Sequence, residues 1–356
     1  MVVKSCEVVQ KGLFACPDTH WSLHREDDSL ISPVTGRRFP IQGGIPNFLR
    51  YPPMEDPETV ESLASLTRLA RRKGWRAALD AVYASNPDLV RYVTDHTRKS
   101  FLHHIPLTPN HRVLEVGPGL GQFSPELAKR AKTVDVLEVV PEQGAFVAER
   151  CHQSHVENVS VAIGGDDGLL PYPSEHFDTI ILNLVLEWCA SRQSSEKPED
   201  LQQQLLAEMF RVLRPSGTAF ISTKNRFGLG YLLGARDEHL EGMHFGSALP
   251  RWTVSLLYTL QRQPKPRARL HSYPALRRML EGTGFEVVKS LWPIPDMRYP
   301  AQYVETNPKA VQSARQAGMG SLGCSRRNQI VAKLVPARLI KYVTPGLVFL
   351  VRKPCN

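Results

Sequence analysis

Three glycines fall within five residues, Gly117, Gly119 and Gly121, in the stretch RVLEVGPGLGQFSPELA at 112–128. Val113, Leu114 and Val116 before them form a short apolar, largely branched run, which predicts a buried strand. Ser124 onward predicts a helix, with Pro125 at a favoured first-turn position. The glycines therefore occupy a tight strand-to-helix turn. Glycine accepts positive φ and lets another group approach the backbone closely, and a helix start offers free N–H groups. That combination suits a nucleotide-like ligand; an ordinary glycine-rich turn is the alternative. The spacing is G-x-G-x-G, not the G-x-G-x-x-G of a dinucleotide fingerprint. A phosphate-cradling G-K-[ST] is also missing. Glu115, two residues before the first glycine, would repel a pyrophosphate and favour a cationic ligand.

The elements that must carry this turn follow in order. TVDVLEVVPEQGAFVAER (133–150) predicts a second strand, a turn and a helix. Glu138 lies near the end of that strand, where an acid in an α/β sheet is placed to bind a ribose diol. A third strand leads into an acidic turn at Asp166 and Asp167, and a fourth strand is expected over 179–184. LLAEMFRVLRPSGTAFIST then gives a helix, a Pro-Ser-Gly turn and a fifth strand.

The stretch from about Arg112 to Thr223 resembles a class I S-adenosylmethionine-dependent methyltransferase. The motifs that carry the resemblance are LEVGPGLG, VLEVVPEQ, GDDGLLPYPSEHFDTIILNLVLEW and EMFRVLRPSGTAFIS, in this order. The resemblance implies an α/β fold, a Rossmann-like seven-stranded sheet with helices on both faces, and S-adenosylmethionine as cofactor. It places the glycine turn under the methionine and ribose portions. It implies that Glu138, with Val139 beside it, binds the ribose hydroxyls and that Asp166 binds the adenine amino group. Asp167 would lie beside the ring, and Asn183 would face the transferred methyl. The cofactor is a sulfonium cation without phosphate, so Glu115 is tolerable at the turn. Methyl transfer is an in-line displacement in which positioning can supply much of the catalysis. A base is needed only if the nucleophile starts protonated.

The remaining sequence bounds the setting. A chain of 356 residues can hold one large domain or two modest ones. No apolar run reaches the ~18 residues of a membrane span. The first residues lack a secretory-signal pattern, and six scattered cysteines show no disulfide framework, so a reducing cytoplasm is expected. The formal net charge is +9, concentrated in 67–78, 261–270 and 324–342. Such a balance points to nucleic acid, an anionic surface or plain solubility. Without a signature of interleaved aromatics, nucleic acid is the disfavoured partner.

Residues 1–50 resemble the small zinc-ribbon-like domain of the activator of tRNA and translation-factor methyltransferases, on CP at Cys16, SPVTGRRFPI and GGIPNFL. The resemblance puts Cys16, Thr19, Ser32 and Thr35 at the four ligand positions, so three of the four thiolates are replaced. A four-thiolate site needs its full ligand set. A substitute set of His20, His24, Cys16 and Cys6 matches no usual spacing. The expectation is a metal-free β unit held by Phe14, Trp21, Leu23, Phe39, Ile41, Ile45 and Phe48, packed on the catalytic domain. Residues 51–105 read as a helical lid or linker, with Trp75, Tyr83, Tyr92 and His96 as candidates to cover the cofactor.

Residues 106–356 form the expected methyltransferase domain, interrupted by two substrate insertions at 224–270 and 292–346. A helix ending at Gly284 lies between them. GFEVVKSLW and GLVFLVRKP are the sixth and seventh strands. In an open α/β sheet, ligands bind beyond the carboxyl ends of the strands. The first insertion mixes Asn225, Arg226, Tyr231, Arg236, Asp237, Glu238, His239, His244 and Arg251 with apolar residues, as a pocket lining would. The stretch 224–260 is expected to wall a closed pocket above Asn183, with at least one of Arg226, His239 and His244 lining it. Glu187, His239 and His244 are the candidate catalytic residues. Histidine titrates near neutrality; a structural role for either histidine, and a helix-end contact for Glu187, are the alternatives. Tyr273 caps the pocket or packs. The insertions also resemble those of methyltransferases from bacterial glycan and secondary-metabolite biosynthesis. That implies methylation at oxygen or nitrogen of a small polar acceptor, a metabolite or a sugar or glycan. An RNA methyltransferase is the second reading, disfavoured because Asn183 opens NLVL and not N-P-P-Y. A non-catalytic methyltransferase-like subunit is the third. The basic stretch NQIVAKLVPARLIKYV (328–343) suits a peripheral membrane contact, a dimer contact or packing on its own domain. Pro336 breaks its periodicity and favours packing. The oligomeric state is left open, a homodimer included.

Overall fold

The computed structural model describes residues 13–51, 55–189, 197–262, 268–318 and 333–355. The first strands are β1 (His24–Glu26), β2 (Ser29–Ile31), β3 (Arg38–Gln42) and β4 (Ile45–Pro46), joined antiparallel in that order. Helices α1 (Pro57–Lys73), α2 (Trp75–Val82) and α3 (Pro87–Thr94) follow, then a 3-10 segment, His96–His104. Asp56 caps α1 by accepting from the Thr59 N–H, and Asn86 caps α3 through the Leu89 N–H.

The main sheet is then laid down. Strand β5 (Arg112–Val116) precedes α4 (Ser124–Ala128), β6 (Thr133–Glu138) precedes α5 (Pro141–Gln153), and β7 (Val159–Ile163) and β8 (Phe177–Asn183) follow. Helix α6 (Pro198–Val212) returns the chain to β9 (Leu213–Lys224). The first insertion supplies α7 (Leu229–Leu232), the short ladder of β10 (Arg236–Asp237) and β11 (Met243–His244), and α8 (Arg251–Leu260). Helix α9 (Tyr273–Thr283), β12 (Glu286–Ile294), β13 (Gln302–Glu305), α10 (Pro308–Gln316), a short helix at Ile340–Val343 and β14 (Gly346–Arg352) follow. Helix α9 ends at Gly284, which takes φ of 106° at its C-cap.

The sheet has eight strands in the order β13-β12-β14-β9-β8-β5-β6-β7. Strands β7, β6, β5, β8 and β9 are parallel, and β14 and β13 run against their neighbours. This is the Rossmann-like α/β sheet that the sequence predicts, with one short edge strand, β13, added from inside the second insertion. Its two faces alternate along each strand. Leu114, Ile180, Leu182, Ile221 and Phe349 pack under α6 and α9. Val113, Ile181, Phe220 and Val348 pack under α4, α5 and the segment around Phe101.

The N-terminal unit is continuous with the first of these cores. Phe14, Leu23, Phe39, Ile41 and Phe48 join Leu137, Tyr172 and Phe177 in it. The Phe48 N–H donates to the Ile163 carbonyl at 2.7 Å, and Asn47 bridges Ile163, so the unit covers the open edge at β7. Trp21 departs from the expected set: it is 66% exposed and holds nothing together. Among the described residues no group of three or more His, Cys, Asp or Glu side chains is arranged to hold a metal ion. Cys16 is buried in the apolar core, Ser32 accepts from the Thr35 N–H, and His24 is exposed. Cys6 lies outside the described residues.

Part of the basic stretch at 328–343 also lies outside them. In the remainder, Ile340 is buried among Trp292, Ile294, Val304 and Val311, with Val335, Ala337 and Val343 against them, whereas Leu334 and Leu339 are exposed. No helix among the described residues is long and apolar enough to cross a membrane.

Candidate active site

The order of the sheet reverses between β5 and β8, so the loops leaving these two strands diverge at their carboxyl ends. Such a switch point opens a crevice for a ligand. Gly117, Gly119 and Gly121 build the loop after β5, with φ of 68°, 58° and 68°, a region that side-chain-bearing residues avoid. The glycines differ in what surrounds them. A Cβ on Gly117 would lie 2.5 Å from Val185 Cγ2, in the loop after β8. A Cβ on Gly119 would meet nothing nearer than Gln122 Oε1 at 3.6 Å. Gly117 thus sets the spacing of the two loops, and Gly119 leaves a cradle.

Glu138 ends β6 and is buried. Its carboxylate accepts from the Gly119 N–H at 3.1 Å, the Val139 N–H at 2.8 Å and the Val140 N–H at 3.1 Å. The acid at the strand tip therefore fixes the glycine loop. Glu115 lies on the α4 side of β5. It accepts from Ser124 Oγ at 2.6 Å, and its Oε1 is buried with no hydrogen-bond partner. Burial, with Glu138 nearby, pushes its pKa up to about 7 against the Ser124 bond and Arg150. Arg150 itself donates to the Leu120 carbonyl at 2.7 Å and lies 4.1 Å over the Trp75 ring, so the α1–α2 helices brace the glycine loop through α5.

The acidic turn holds the N-terminal unit. Asp166 accepts from the Arg50 N–H at 3.0 Å and from the Tyr51 N–H at 2.8 Å. The Arg50 Nε lies 2.5 Å from Asp167, and its guanidinium also pairs with Asp18. Burial is the main influence on Asp167 and raises its pKa. The carboxylate that the resemblance assigned to an adenine amino group is thus engaged by backbone amides of the segment leaving β4. Sequence reasoning gave no sign of this contact, because its partners are more than a hundred residues apart.

Asn183 ends β8, and its Oδ1 accepts from Ser222 Oγ at 2.6 Å. Leu184, next in the chain, takes φ of 59° and lines a cavity of about 240 Å³ together with Tyr92, Glu187, Trp188, Lys224, Glu238 and Arg298. Helix α3, the loop after β8 and both insertions contribute to this wall. Glu187 is its buried acid. Oε1 lies 3.4 Å from the Lys224 N–H, and Oε2 is buried without a hydrogen-bond partner. Burial raises its pKa, opposed by the backbone N–H groups and the Thr223 hydroxyl nearby and by the proximity of His239. Lys224 Nζ faces Glu238 at 3.5 Å, and the Arg298 guanidinium lies 5.1 Å over the Tyr92 ring. Asn183 is not in the lining. Arg298 and Lys224 were not singled out from sequence; Arg298 lies in the far insertion and carries no local signal.

His239 is buried behind this wall, with its ring stacked on Trp188 at 4.7 Å. Its Nδ1 is 3.1 Å from Asp237 Oδ1, and its Nε2 has no hydrogen-bond partner, with Glu238 Oε1 4.0 Å away. Burial works against ionisation of Asp237, but hydrogen bonds from His239 and Ser247 outweigh it and hold its pKa below the usual range. His239 and Arg226 line a second cavity, of about 170 Å³, behind the first. His244 is brought to neither: it is exposed, with Nδ1 on the Gly234 carbonyl at 2.8 Å. Tyr273 packs on Phe349 at 5.2 Å in the core. Of the lid candidates, Tyr92 reaches the first cavity, Trp75 and Tyr83 pack beside α5, and His96 is exposed.

Comparison with known proteins finds methyltransferases. Residues 114–221 match the family described as a methyltransferase domain. The chain is 32% identical over 167 residues to the biotin biosynthesis bifunctional protein BioHC of Cellvibrio japonicus, covering 47% of this chain and 29% of that protein. It is 30% identical over 139 residues to protein-L-isoaspartate O-methyltransferase 2 of a Polaromonas species, covering 38% of this chain and 56% of the relative. The chain spans less than two thirds of the length of either. Among solved structures it resembles phosphoethanolamine N-methyltransferase 2 of Haemonchus contortus in complex with S-adenosyl-L-methionine, at 13% identity and a TM-score of 0.43, covering 82% of this chain and 60% of the other. The likeness to a methyltransferase domain thus lies over residues 114–221, from β5 to β9.

Proposed function

We propose that the protein is a methyltransferase that moves the methyl group of S-adenosylmethionine to an oxygen or nitrogen of a small polar acceptor, a metabolite or a sugar or glycan. The observation that carries this reading is the cavity beside Leu184, with the unpartnered buried oxygen of Glu187 in its wall. A cavity of about 240 Å³ suits a small molecule. Its lining of Lys224, Glu238 and Arg298 supplies both signs of charge for orienting polar groups, and Tyr92 and Trp188 supply flat apolar walls.

The residues present fit the cofactor. The open backbone at Gly119, the orphaned buried oxygen of Glu115 and the acid at the tip of β6 leave a phosphate-free ligand of positive charge as the natural occupant. In this reading Glu115, Gly117, Gly119, Gly121, Glu138 and Val139 hold the methionine and ribose portions. Asp166 and Asp167 bound the adenine end, and Asn183 lies near the reacting carbon. When bound, the cofactor supplies a methyl on an already activated sulfonium. Glu187 takes the proton of an acceptor hydroxyl or ammonium, a task that its raised pKa favours. His239, held by Asp237, supports Trp188 and, in the proposal, the base at Glu187. The N-terminal unit is read as a zinc-ribbon-like module that functions without metal, and the protein as cytoplasmic.

Glu187→Gln tests the assignment. Cofactor affinity should hold while turnover on small hydroxyl or amine acceptors falls by about 10²–10⁴-fold. The rise of rate with pH through the Glu187 titration should vanish with it. A variant with full turnover and the wild-type pH profile contradicts the role of Glu187.

A further inference from the structure

The second cavity carries chemistry that methyl transfer does not use. Arg226, Arg251 and Arg269 all line its 170 Å³, with Ser247, Ser255 and His239. Three guanidiniums in one small cavity repel each other unless anions compensate them. Among the described residues one carboxylate does so: Glu199 accepts from Arg251 at 2.9 Å and also from Arg269. Arg226 spends Nε and Nη2 on the Ser247 and Leu249 carbonyls. Asp237 is committed to His239 and Ser247. Polar atoms are left over: the donor Arg269 Nε, and His239 Nε2, are both buried without a hydrogen-bond partner. The excess charge is felt nearby. Burial and then the three arginines push the pKa of His271 down to about 4, so that this residue stays neutral and adds no charge of its own.

We propose that this cavity is a binding site for a phosphate-class oxyanion, with Arg226, Arg251 and Arg269 as its charged wall. Guanidinium forks match the oxygens of phosphate geometrically, and a desolvated cluster of them is matched by an ion that accepts several hydrogen bonds at once. The oxyanion accepts from the unused donors of Arg269 and Arg251 and offsets the charge that Glu199 leaves uncompensated. The site shares a wall with the acceptor cavity: the Arg269 N–H donates to the Glu187 carbonyl at 2.9 Å, and His239 stacks on Trp188. Occupancy therefore bears on the placement of Glu187. The phosphate can arrive free in solution, on an ester, or on a lipid headgroup. The last source is raised by α8, which lends Arg251 to the cavity and exposes Trp252, Leu256 and Leu260 at four-residue spacing on its outer face.

The test is calorimetric titration of the whole protein with inorganic phosphate, without cofactor or acceptor. One saturable site per chain is expected, weakened at least about tenfold in Arg269→Gln and in Arg251→Gln and less in Arg269→Lys, which keeps the charge; tenfold is about 1.4 kcal/mol. Arg352→Gln, an exposed arginine paired with Glu286 elsewhere, should bind phosphate as the wild type does. Melting curves confirm that each variant is folded. Co-sedimentation with phosphatidylcholine vesicles, with and without phosphatidic acid, separates the sources. Binding that requires phosphatidic acid and is lost in Arg269→Gln assigns the site to a lipid headgroup; phosphate binding without vesicle binding assigns it to a soluble phosphate. The absence of saturable phosphate binding, or affinity unmoved by the arginine variants, overturns the proposal. The readout needs no S-adenosylmethionine, so its failure is distinct from failure of the methyltransferase reading.

Discussion

Gly117→Ala should damage the protein in two separable ways. Its backbone sits at φ of 68°, where a side chain costs about 1–2 kcal/mol. Its new Cβ would also lie 2.5 Å from Val185 Cγ2 and 3.0 Å from Val185 Cγ1. Overpacking of that kind costs about 1–3 kcal/mol. The sum is about 2–5 kcal/mol. Gly119→Ala provides the control: its φ of 58° carries the same backbone cost, but the nearest atom is at 3.6 Å, so about 1–2 kcal/mol is expected. Val185→Ala removes the colliding methyls. Combined with Gly117→Ala, it should recover the steric part, giving a coupling of about 1–3 kcal/mol between the two sites. The assay is thermal and denaturant unfolding of the wild type and the four variants, with cofactor affinity measured beside it. Gly117→Ala should also weaken cofactor binding, because displacing Val185 moves the loop that carries Leu184 and Glu187. Equal destabilisation by the two alanines, or additivity of Gly117→Ala with Val185→Ala, would refute the argument that these two loops set each other's position.

Two further outcomes follow from the electrostatics. Asp135 is buried on β6, and burial pushes its pKa up to about 7, with Arg112 as the opposing influence. The folded state then holds a proton that the unfolded state has released, so stability falls as pH rises from the ordinary aspartate range toward 7. Asp135→Asn should raise stability above about pH 7 by up to about 4 kcal/mol and change it little near pH 4, read from melting curves across pH; a gain independent of pH would contradict the assignment. At the acidic turn, Asp166→Ala should speed hydrogen exchange at the Arg50 and Tyr51 amides and loosen the N-terminal unit by about 1–3 kcal/mol. Arg50→Ala removes partly exposed ion pairs and should cost less than about 1 kcal/mol; slowed or unchanged exchange in Asp166→Ala would contradict the docking role.

The parts of this molecule that could be read from sequence are those with local punctuation. The strand-glycine-helix unit at 112–128, the acid ending β6 and the helix closed by Gly284 each announce themselves within a dozen residues. The parts that could not are set by contacts between distant segments. Strand β13 is four residues long and sits between prolines inside an insertion, so no periodicity marks it. Trp21 has the composition of a core residue, but a tight turn at His20, φ 59°, leaves it on the surface. His239 and His244 look alike in sequence. A single Asp-x-His spacing buries the first beside Asp237, while the second ends up on the outer strand of the same ladder. Arg298, Arg269 and Tyr92 meet the site from three regions of the chain that nothing in the sequence links.

The central claim is that the crevice between β5 and β8 binds S-adenosylmethionine through the glycine loop and Glu138. Calorimetry with the cofactor tests it most directly, on the wild type and on Glu138→Ala. One site per chain is predicted, with the variant weaker by about 1.5–3 kcal/mol, roughly ten- to 150-fold, for loss of a charge-assisted hydrogen bond. No heat of binding at millimolar cofactor, or an unchanged dissociation constant in Glu138→Ala, would contradict the account.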